Sequence, residues 1–261
     1  MRIGVVYGKS FFYEGTRPPD EDFLRLTKEA EWIDADAENG FASGRNGTYD
    51  CLVFLHGAYF PKAAWPQILA HLRRGGGLVH VGAGVPFSIP VRRRGTELVP
   101  ERRQNAYHAQ LGITGAAEIR KDERRFSRLE VNEDLPWLRG YAQCFGLQDT
   151  IGLMPQFTDR NDIPGEWGSS GPMNGAIQPL IRVLSDDGRP VAAPAVVIDQ
   201  WKGAFAGGRW IFLNVKPDET FWRNGGAELI KAMAAKAAGK SREIRIRPSC
   251  ASYYAGEQPS V

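Results

Sequence analysis

The sequence has few cysteines and no long apolar run, and both absences narrow the class of protein. Only three of its 261 residues are cysteine, Cys51, Cys144 and Cys250, and no two of them have CxxC spacing. We therefore expect neither a disulfide framework nor a metal site. No segment approaches the roughly 20 apolar residues of a membrane helix, and the first residues lack the apolar stretch of a secretory signal. These features predict a cytoplasmic protein with no membrane partner.

An excess of charge of one sign is also lacking. The chain has 33 Lys and Arg against 30 Asp and Glu, a net charge of +3. Its basic cluster at Arg92, Arg93 and Arg94 is followed by Glu97 and Glu101, without interleaved aromatic residues. This pattern is typical of a solvated surface of mixed charge, so we expect no nucleic-acid partner.

Short apolar runs that end at glycine dominate the first third of the chain. Residues 2–8, 51–56 and 78–84 have the continuous apolar character of strands buried on both faces of a parallel sheet. Residues 62–74 have apolar side chains at helical spacing, so 51–84 predicts a right-handed βαβ unit. We expect strand 2–8 to be central, and His71 to lie on the exposed face of the helix.

The rest of the chain divides into a regular and an irregular part. We predict a helix after Asp20, and an irregular insertion at about 88–180 that is rich in turn residues. Three further strands are predicted at 177–185, 193–201 and 208–215, the last two as a hairpin, followed by a helix at 227–238. We expect residues 1–240 to form one domain. Residues 241–261 then are a linker and the start of a following β-rich domain of a longer protein.

A family resemblance lies in residues 49–84, YDCLVFLHGAYFPKAAWPQILAHLRRGGGLVHVGAG. This segment resembles the core of class I glutamine amidotransferase-like domains, including ThuA-like proteins and the trimerisation domain of family 42 β-galactosidases. The segment GRWIFLNVKPDETFW resembles the last strand and helix of that fold. The resemblance covers residues 1–90 and 190–238. It implies an α/β, flavodoxin-like three-layer α/β/α sandwich with a mostly parallel central sheet. The whole chain also resembles the N-terminal part of large bacterial glycoside hydrolases.

The catalytic residues of such amidotransferases are missing. Their nucleophile turn has the pattern Gly-X-Cys-X-Gly, whereas the matching strand end here is Gly82-Ala83-Gly84. The His-X-Glu pair is replaced by NVKPD at 214–218. The glycine-rich turns also lack the lysine and hydroxyl residues of a phosphate loop, so we expect no cofactor.

These observations predict a non-catalytic domain of a carbohydrate-active protein, with a structural, oligomerising or ligand-binding role. Its expected partners are other domains of a longer chain, a carbohydrate ligand, or a second copy of the chain. Because open α/β sheets bind ligands at the carboxyl edge, the predicted ligand-binding residues are His56, Tyr59, Gly82, Ala83, Gly84, Lys216, Asp218 and Trp222.

Two alternatives stay open. The first is a hydrolase-type enzyme whose pocket at the carboxyl edge is built from His56, Tyr59, Lys216 and Asp218. The second concerns His56 alone, which either contributes to a pocket or is a hydrogen-bonded residue at a strand end.

Overall fold

The computed structural model describes most of the chain. The described residues are 1–37, 41, 49–115, 118–120, 126–132, 134–146, 150–152, 156–157 and 175–239. The predicted tail, residues 241–261, lies outside them, and so does most of the turn-rich segment 155–175.

Eight strands form one central sheet, and seven shorter strands form three small sheets. The strands of the central sheet are β1 (Ile3–Tyr7), β2 (Glu31–Asp34), β3 (Cys51–Phe54), β5 (Gly77–Val81), β10 (Phe126–Val131), β13 (Gly175–Ser185), β14 (Pro190–Gln200) and β15 (Arg209–Leu213). The shorter strands are β4 (Tyr59–Pro61), β6 (Ile89–Arg94), β7 (Glu97–Pro100), β8 (Ile113–Gly115), β9 (Glu118–Arg120), β11 (Thr150–Gly152) and β12 (Gln156–Phe157). The α-helices are α1 (Asp20–Thr27), α2 (Trp65–Arg73), α3 (Glu219–Arg223) and α4 (Gly226–Ala238).

One half of the central sheet is parallel, in the order β2-β1-β3-β5-β15. Counted along the chain, these strands have the order 2-1-3-4-5 of flavodoxin-like folds. The predicted fold class and the parallel pairing of β3 with β5 are thereby confirmed. The expectation that the first strand is central is wrong. β1 lies one strand from the edge because β2 pairs on its outer side, and β3 occupies the middle of the parallel half.

The other half of the sheet is antiparallel. β14 pairs with β15 as the predicted hairpin, and β13 and β10 continue the sheet outward. The predicted insertion therefore contributes regular structure as well as turns. It supplies β10 to the central sheet. It also supplies β6, which pairs with β4, and β7, which pairs with β6, in a small sheet beyond the carboxyl ends of β3 and β5.

Helices cover both faces of the sheet, which explains the continuous apolar runs. In β3, Cys51 and Val53 face the core that contains α1 and α4, while Leu52 and Phe54 face the core that contains α2. A 3₁₀ turn at Lys62–Ala64 precedes α2, so the predicted helix at 62–74 begins with a tighter turn. The prediction for His71 is wrong. His71 lies on the buried face of α2 with Ile68 and Leu72, and its Nε2 donates a hydrogen bond to the carbonyl of Gly77 at 2.8 Å.

The start of β5 provides a test of the packing between the sheet and α4. A Cβ atom on Gly77 would lie 2.2 Å from the Ala237 carbonyl oxygen and 3.0 Å from that of Asp50. These are backbone atoms, so the neighbours cannot rotate away. We expect Gly77→Ala to lower the free energy of unfolding by about 2 kcal/mol, measured by urea denaturation. The matched control Gly146→Ala has open space around the new methyl group, so its effect should stay within about 0.5 kcal/mol. Equal stabilities of the two variants would contradict the packing described here.

Candidate functional site

The carboxyl edge of the parallel strands is covered by the loop that follows β1, residues 8–19. His56, just beyond β3, is hydrogen-bonded to the backbone of this loop. Its Nδ1 lies 2.7 Å from the carbonyl oxygen of Phe12, and its Nε2 lies 3.0 Å from the amide nitrogen of Gly8. The carbonyl can only accept, so Nδ1 carries the proton and Nε2 accepts from Gly8. One imidazole thus bridges β3 to both ends of a five-residue stretch of the loop.

Aromatic rings enclose His56. Its imidazole stacks on the Tyr7 ring at 5.4 Å, and Phe11 and Tyr13 meet it edge-on at 4.9 and 5.5 Å. The residue is 1% exposed, and burial lowers its pKa to about 3. His56 is therefore neutral at pH 7, and both ring nitrogens are engaged by backbone groups. Of the two alternatives for this residue, the geometry corresponds to the hydrogen-bonded strand-end histidine.

The position of His56 matters because the strand order reverses between β1 and β3. In open α/β sheets this switch point leaves a crevice at the carboxyl ends of the two strands, where ligands commonly bind. Here the imidazole and its three aromatic neighbours occupy that place. The 8–19 loop is thereby fixed over the edge of the sheet.

The far end of the loop is attached to the segment after β15. The amide nitrogen of Thr16 donates to the carbonyl of Pro217 at 2.7 Å, and Trp222 Nε1 donates to the carbonyl of Thr16 at 2.8 Å. Gly15 has φ +92°, and a Cβ atom there would lie 2.4 Å from the Pro217 oxygen, so only glycine permits this approach. Trp222 is 2% exposed, so its indole holds the loop instead of lining an open cleft.

The other two predicted residues beyond β15 have different roles. Asp218 is the N-cap of α3, and its Oδ1 accepts a hydrogen bond from the amide nitrogen of Phe221 at 2.7 Å. Lys216 is exposed. Tyr59, on β4, is half-buried and stacks on Phe12 of the loop at 5.4 Å. Three of the eight predicted site residues, His56, Tyr59 and Trp222, therefore contact the 8–19 loop as its supports.

The turn after β5 keeps the glycines of a nucleophile turn for a packing reason. Gly82 has φ +130°, and a Cβ atom on it would lie 2.4 Å from the Cα of Gly57. Its amide nitrogen donates to the carbonyl of Leu213 at 3.0 Å. Ala83 is 6% exposed, while Gly84 is partly exposed. The methyl group of Ala83 thus lies in a turn that is closed by neighbouring backbone.

One polar residue near this turn could not be found from the sequence. Glu14, in the 8–19 loop, places its carboxylate beside Gly57, which follows β3. A Cβ atom on Gly57 would lie 2.3 Å from Glu14 Oε2. No local motif marks Glu14, because only the folding of the loop brings it there.

The thiols of the described residues are poorly suited to nucleophilic chemistry. Cys51 is fully buried in β3, and burial raises the pKa of its thiol far above its usual range. Burial likewise raises the pKa of Cys144 to about 11. Both remain protonated at pH 7, whereas a nucleophilic cysteine acts as the thiolate. Among the same residues, no group of three or more His, Cys, Asp or Glu side chains could hold a metal ion.

Two of the cavities in the described part of the chain adjoin the sheet. One, of about 310 Å³, lies beyond the carboxyl ends of β1 and β2. The other, of about 180 Å³, lies between α4 and the loop at 134–137, beside the ion pair of Arg209 with Asp199 at 2.6 Å. Small-molecule sites usually have about 300–1,000 Å³, so the first cavity is the better candidate. No helix in the described part of the chain has the length and apolar character needed to cross a membrane.

The buried His56 predicts a specific loss of stability in acid. An unfolded histidine binds a proton below about pH 6.5, whereas folded His56 does so only near pH 3. The unfolded state therefore binds more protons between these values, and the free energy of unfolding falls as the pH falls. The contribution of this residue is at most about 1.4 kcal/mol per pH unit.

We expect His56→Gln to reduce that slope between about pH 6.5 and pH 5, measured by urea unfolding at a series of pH values. Phe12→Leu is the control, because it weakens the loop contact with Tyr59 but leaves every histidine in place. Identical slopes for the wild type and His56→Gln would contradict the neutral, buried imidazole.

Among the solved structures that match this chain are a ThuA-like protein and a β-galactosidase. No family model and no curated protein sequence matches the chain. A ThuA-like protein from Bacteroides uniformis is 12% identical with a TM-score of 0.41, over 91% of this chain and 90% of that chain. A β-galactosidase from Rahnella sp. R3 is 12% identical with a TM-score of 0.42, over 88% of this chain and 31% of that chain. These are the two kinds of protein named by the sequence resemblance.

Proposed function

We propose that this chain is a non-catalytic, amidotransferase-like domain with a structural, oligomerising or ligand-binding role in a carbohydrate-active protein. One observation carries the proposal. The turn after β5, Gly82-Ala83-Gly84, contains no nucleophilic side chain, and its Ala83 is 6% exposed. A methyl group can neither attack a carbonyl nor transfer a proton, so the turn supplies no covalent catalysis.

The surroundings of the turn favour the same conclusion. A hydrolase needs a base in contact with its nucleophile. His56 has both ring nitrogens engaged by the loop backbone, and Asp218 caps α3. His56 and Asp218, two of the four residues of the alternative hydrolase pocket, are therefore hydrogen-bonded to backbone groups. The hydrolase hypothesis is for this reason the less favoured of the two.

A role in assembly is supported by apolar side chains at one edge of the sheet. β2 is the outermost strand of the parallel half, and its Trp32 is 45% exposed. Leu24, on the neighbouring α1, is 66% exposed. Exposed aromatic and aliphatic side chains next to an open sheet edge are typical of surfaces that pack against another domain or a second copy.

The proposal is tested by a glutaminase assay. We expect the purified chain to release no glutamate from glutamine, and we expect Ala83→Cys to remain inactive. Restoring the thiol does not restore the base, because Asn214, Val215 and Lys216 follow β15 where the histidine would stand. Glutamine hydrolysis that survives replacement of Cys51, Cys144 and Cys250 by serine would show another nucleophile and end the proposal.

A further inference from the structure

The cavity of about 310 Å³ is walled by four separate parts of the chain that meet beyond the carboxyl edge. Its lining comes from the 8–19 loop, the segment after β2, the 3₁₀ turn before α2, and the small sheet. Its lining includes the apolar residues Phe11, Ala35 and Val91 and the basic residues Lys62, Arg92 and Arg93. None of them belongs to the predicted ligand-binding set.

The floor of this cavity is apolar. Phe11, Val91 and Ala35 are 1%, 3% and 4% exposed, and Leu98 and Pro61 complete the lining on the side of the small sheet. A water molecule finds few hydrogen-bonding partners on such a floor. An apolar group of a ligand would replace that water favourably.

The rim, by contrast, is positively charged. Lys62, Arg92 and Arg93 line the cavity, and the lining residues that the structure describes include no carboxylate. Glu101, outside the lining, accepts hydrogen bonds from Lys62 Nζ at 2.7 and 2.9 Å and lies 3.4 Å from Arg92 Nε. Three cations and this one anion leave a net charge of +2.

Glu101 also restricts the two side chains that it contacts. Freezing a long basic side chain costs conformational entropy when a ligand binds. Lys62 and Arg92 are already held by the same carboxylate, so they lose less conformational entropy when a ligand binds. Arg93 is held separately by the carbonyl of Thr96 at 3.4 Å.

The acidic residue Asp36, next to the cavity, contacts the 8–19 loop and not the cavity. Asp36 stands between the lining residues Ala35 and Ala37. Its Oδ2 accepts a hydrogen bond from the amide nitrogen of Ser10 at 2.8 Å, and its carboxylate lies against Gly8. It therefore supports the 8–19 loop and does not belong to the lining.

We propose that this cavity binds a small organic anion, with a carboxylate or phosphate group at the basic rim and an apolar body on the floor. It lies beyond the carboxyl ends of β1 and β2, on the edge of the sheet where open α/β folds bind ligands and beside the switch point between β1 and β3. Since His56 fills the deeper crevice between β1 and β3, the ligand lies further out, against the small sheet. The inference does not depend on whether the chain hydrolyses glutamine.

The test uses phenyl phosphate and isothermal titration calorimetry on the full chain. We expect saturable binding, weakened by added salt because the rim is solvent-accessible. Arg93→Gln should weaken it about tenfold, the usual effect of losing one charge-assisted hydrogen bond. Arg94→Gln is the matched control, because it removes the same charge from the next residue of β6, which does not line the cavity.

A second pair of variants tests the cavity itself. Ala63 lies on its exposed margin, so Ala63→Trp should block phenyl phosphate while leaving the thermal midpoint unchanged. Ala70→Trp, also exposed but on α2 and outside the lining, should bind as the wild type does.

Three results would overturn the inference. The first is no saturable binding of phenyl phosphate below about 1 mM. The second is equal weakening by Arg93→Gln and Arg94→Gln, which would show that binding reflects the general surface charge. The third is equal affinity for inorganic phosphate and phenyl phosphate, which would show that the apolar floor contributes nothing.

Discussion

The two hydrogen bonds of the buried His56 are the contact on which the carboxyl edge of this protein depends. A neutral imidazole can donate from one nitrogen and accept at the other, so it satisfies both a carbonyl and an amide of the same loop. Protonation would turn the acceptor into a second donor facing the Gly8 amide. The enclosure by Tyr7, Phe11 and Tyr13 opposes that charge. The loop, the switch-point crevice and the protonation state of the histidine are therefore one coupled unit.

This unit also explains why the turn after β5 keeps glycines without a nucleophile. Gly82 lies so close to Gly57 that it has no room for a Cβ atom, and a Cβ atom on Gly57 would meet Glu14 of the 8–19 loop. The backbone requirement is imposed by packing alone. A glycine-rich turn at a strand end, such as Gly82-Ala83-Gly84, is therefore consistent with catalysis but does not imply it.

The sequence predicted well what depends on local pattern. Continuous apolar runs located β1, β3 and β5, because strands covered on both faces need no alternation. It could not predict features that arise when distant segments meet. The outer position of β1 depends on β2, whose four residues carry a weak signal, and the buried His71 is hydrogen-bonded to Gly77 beyond its own helix. Glu14 reaches the turn only because the loop closes over it, which no spacing in the sequence records.

The basic cluster shows the same limit in electrostatic terms. From the sequence, Arg92, Arg93 and Arg94 form one solvated patch neutralised by the acids that follow. In the fold, the hairpin of β6 and β7 lies beside the 3₁₀ turn that carries Lys62, and Glu101 holds Lys62 and Arg92 together. Arg92 and Arg93 then face a cavity with an apolar floor, while Arg94 does not. Basic and acidic residues alternate along the chain, but in the fold the basic ones are in excess around this cavity. The cavity lies just outside the crevice that His56 closes. Closing the inner crevice does not remove the binding potential of this edge, because the small sheet beyond it builds a new wall with charges of its own.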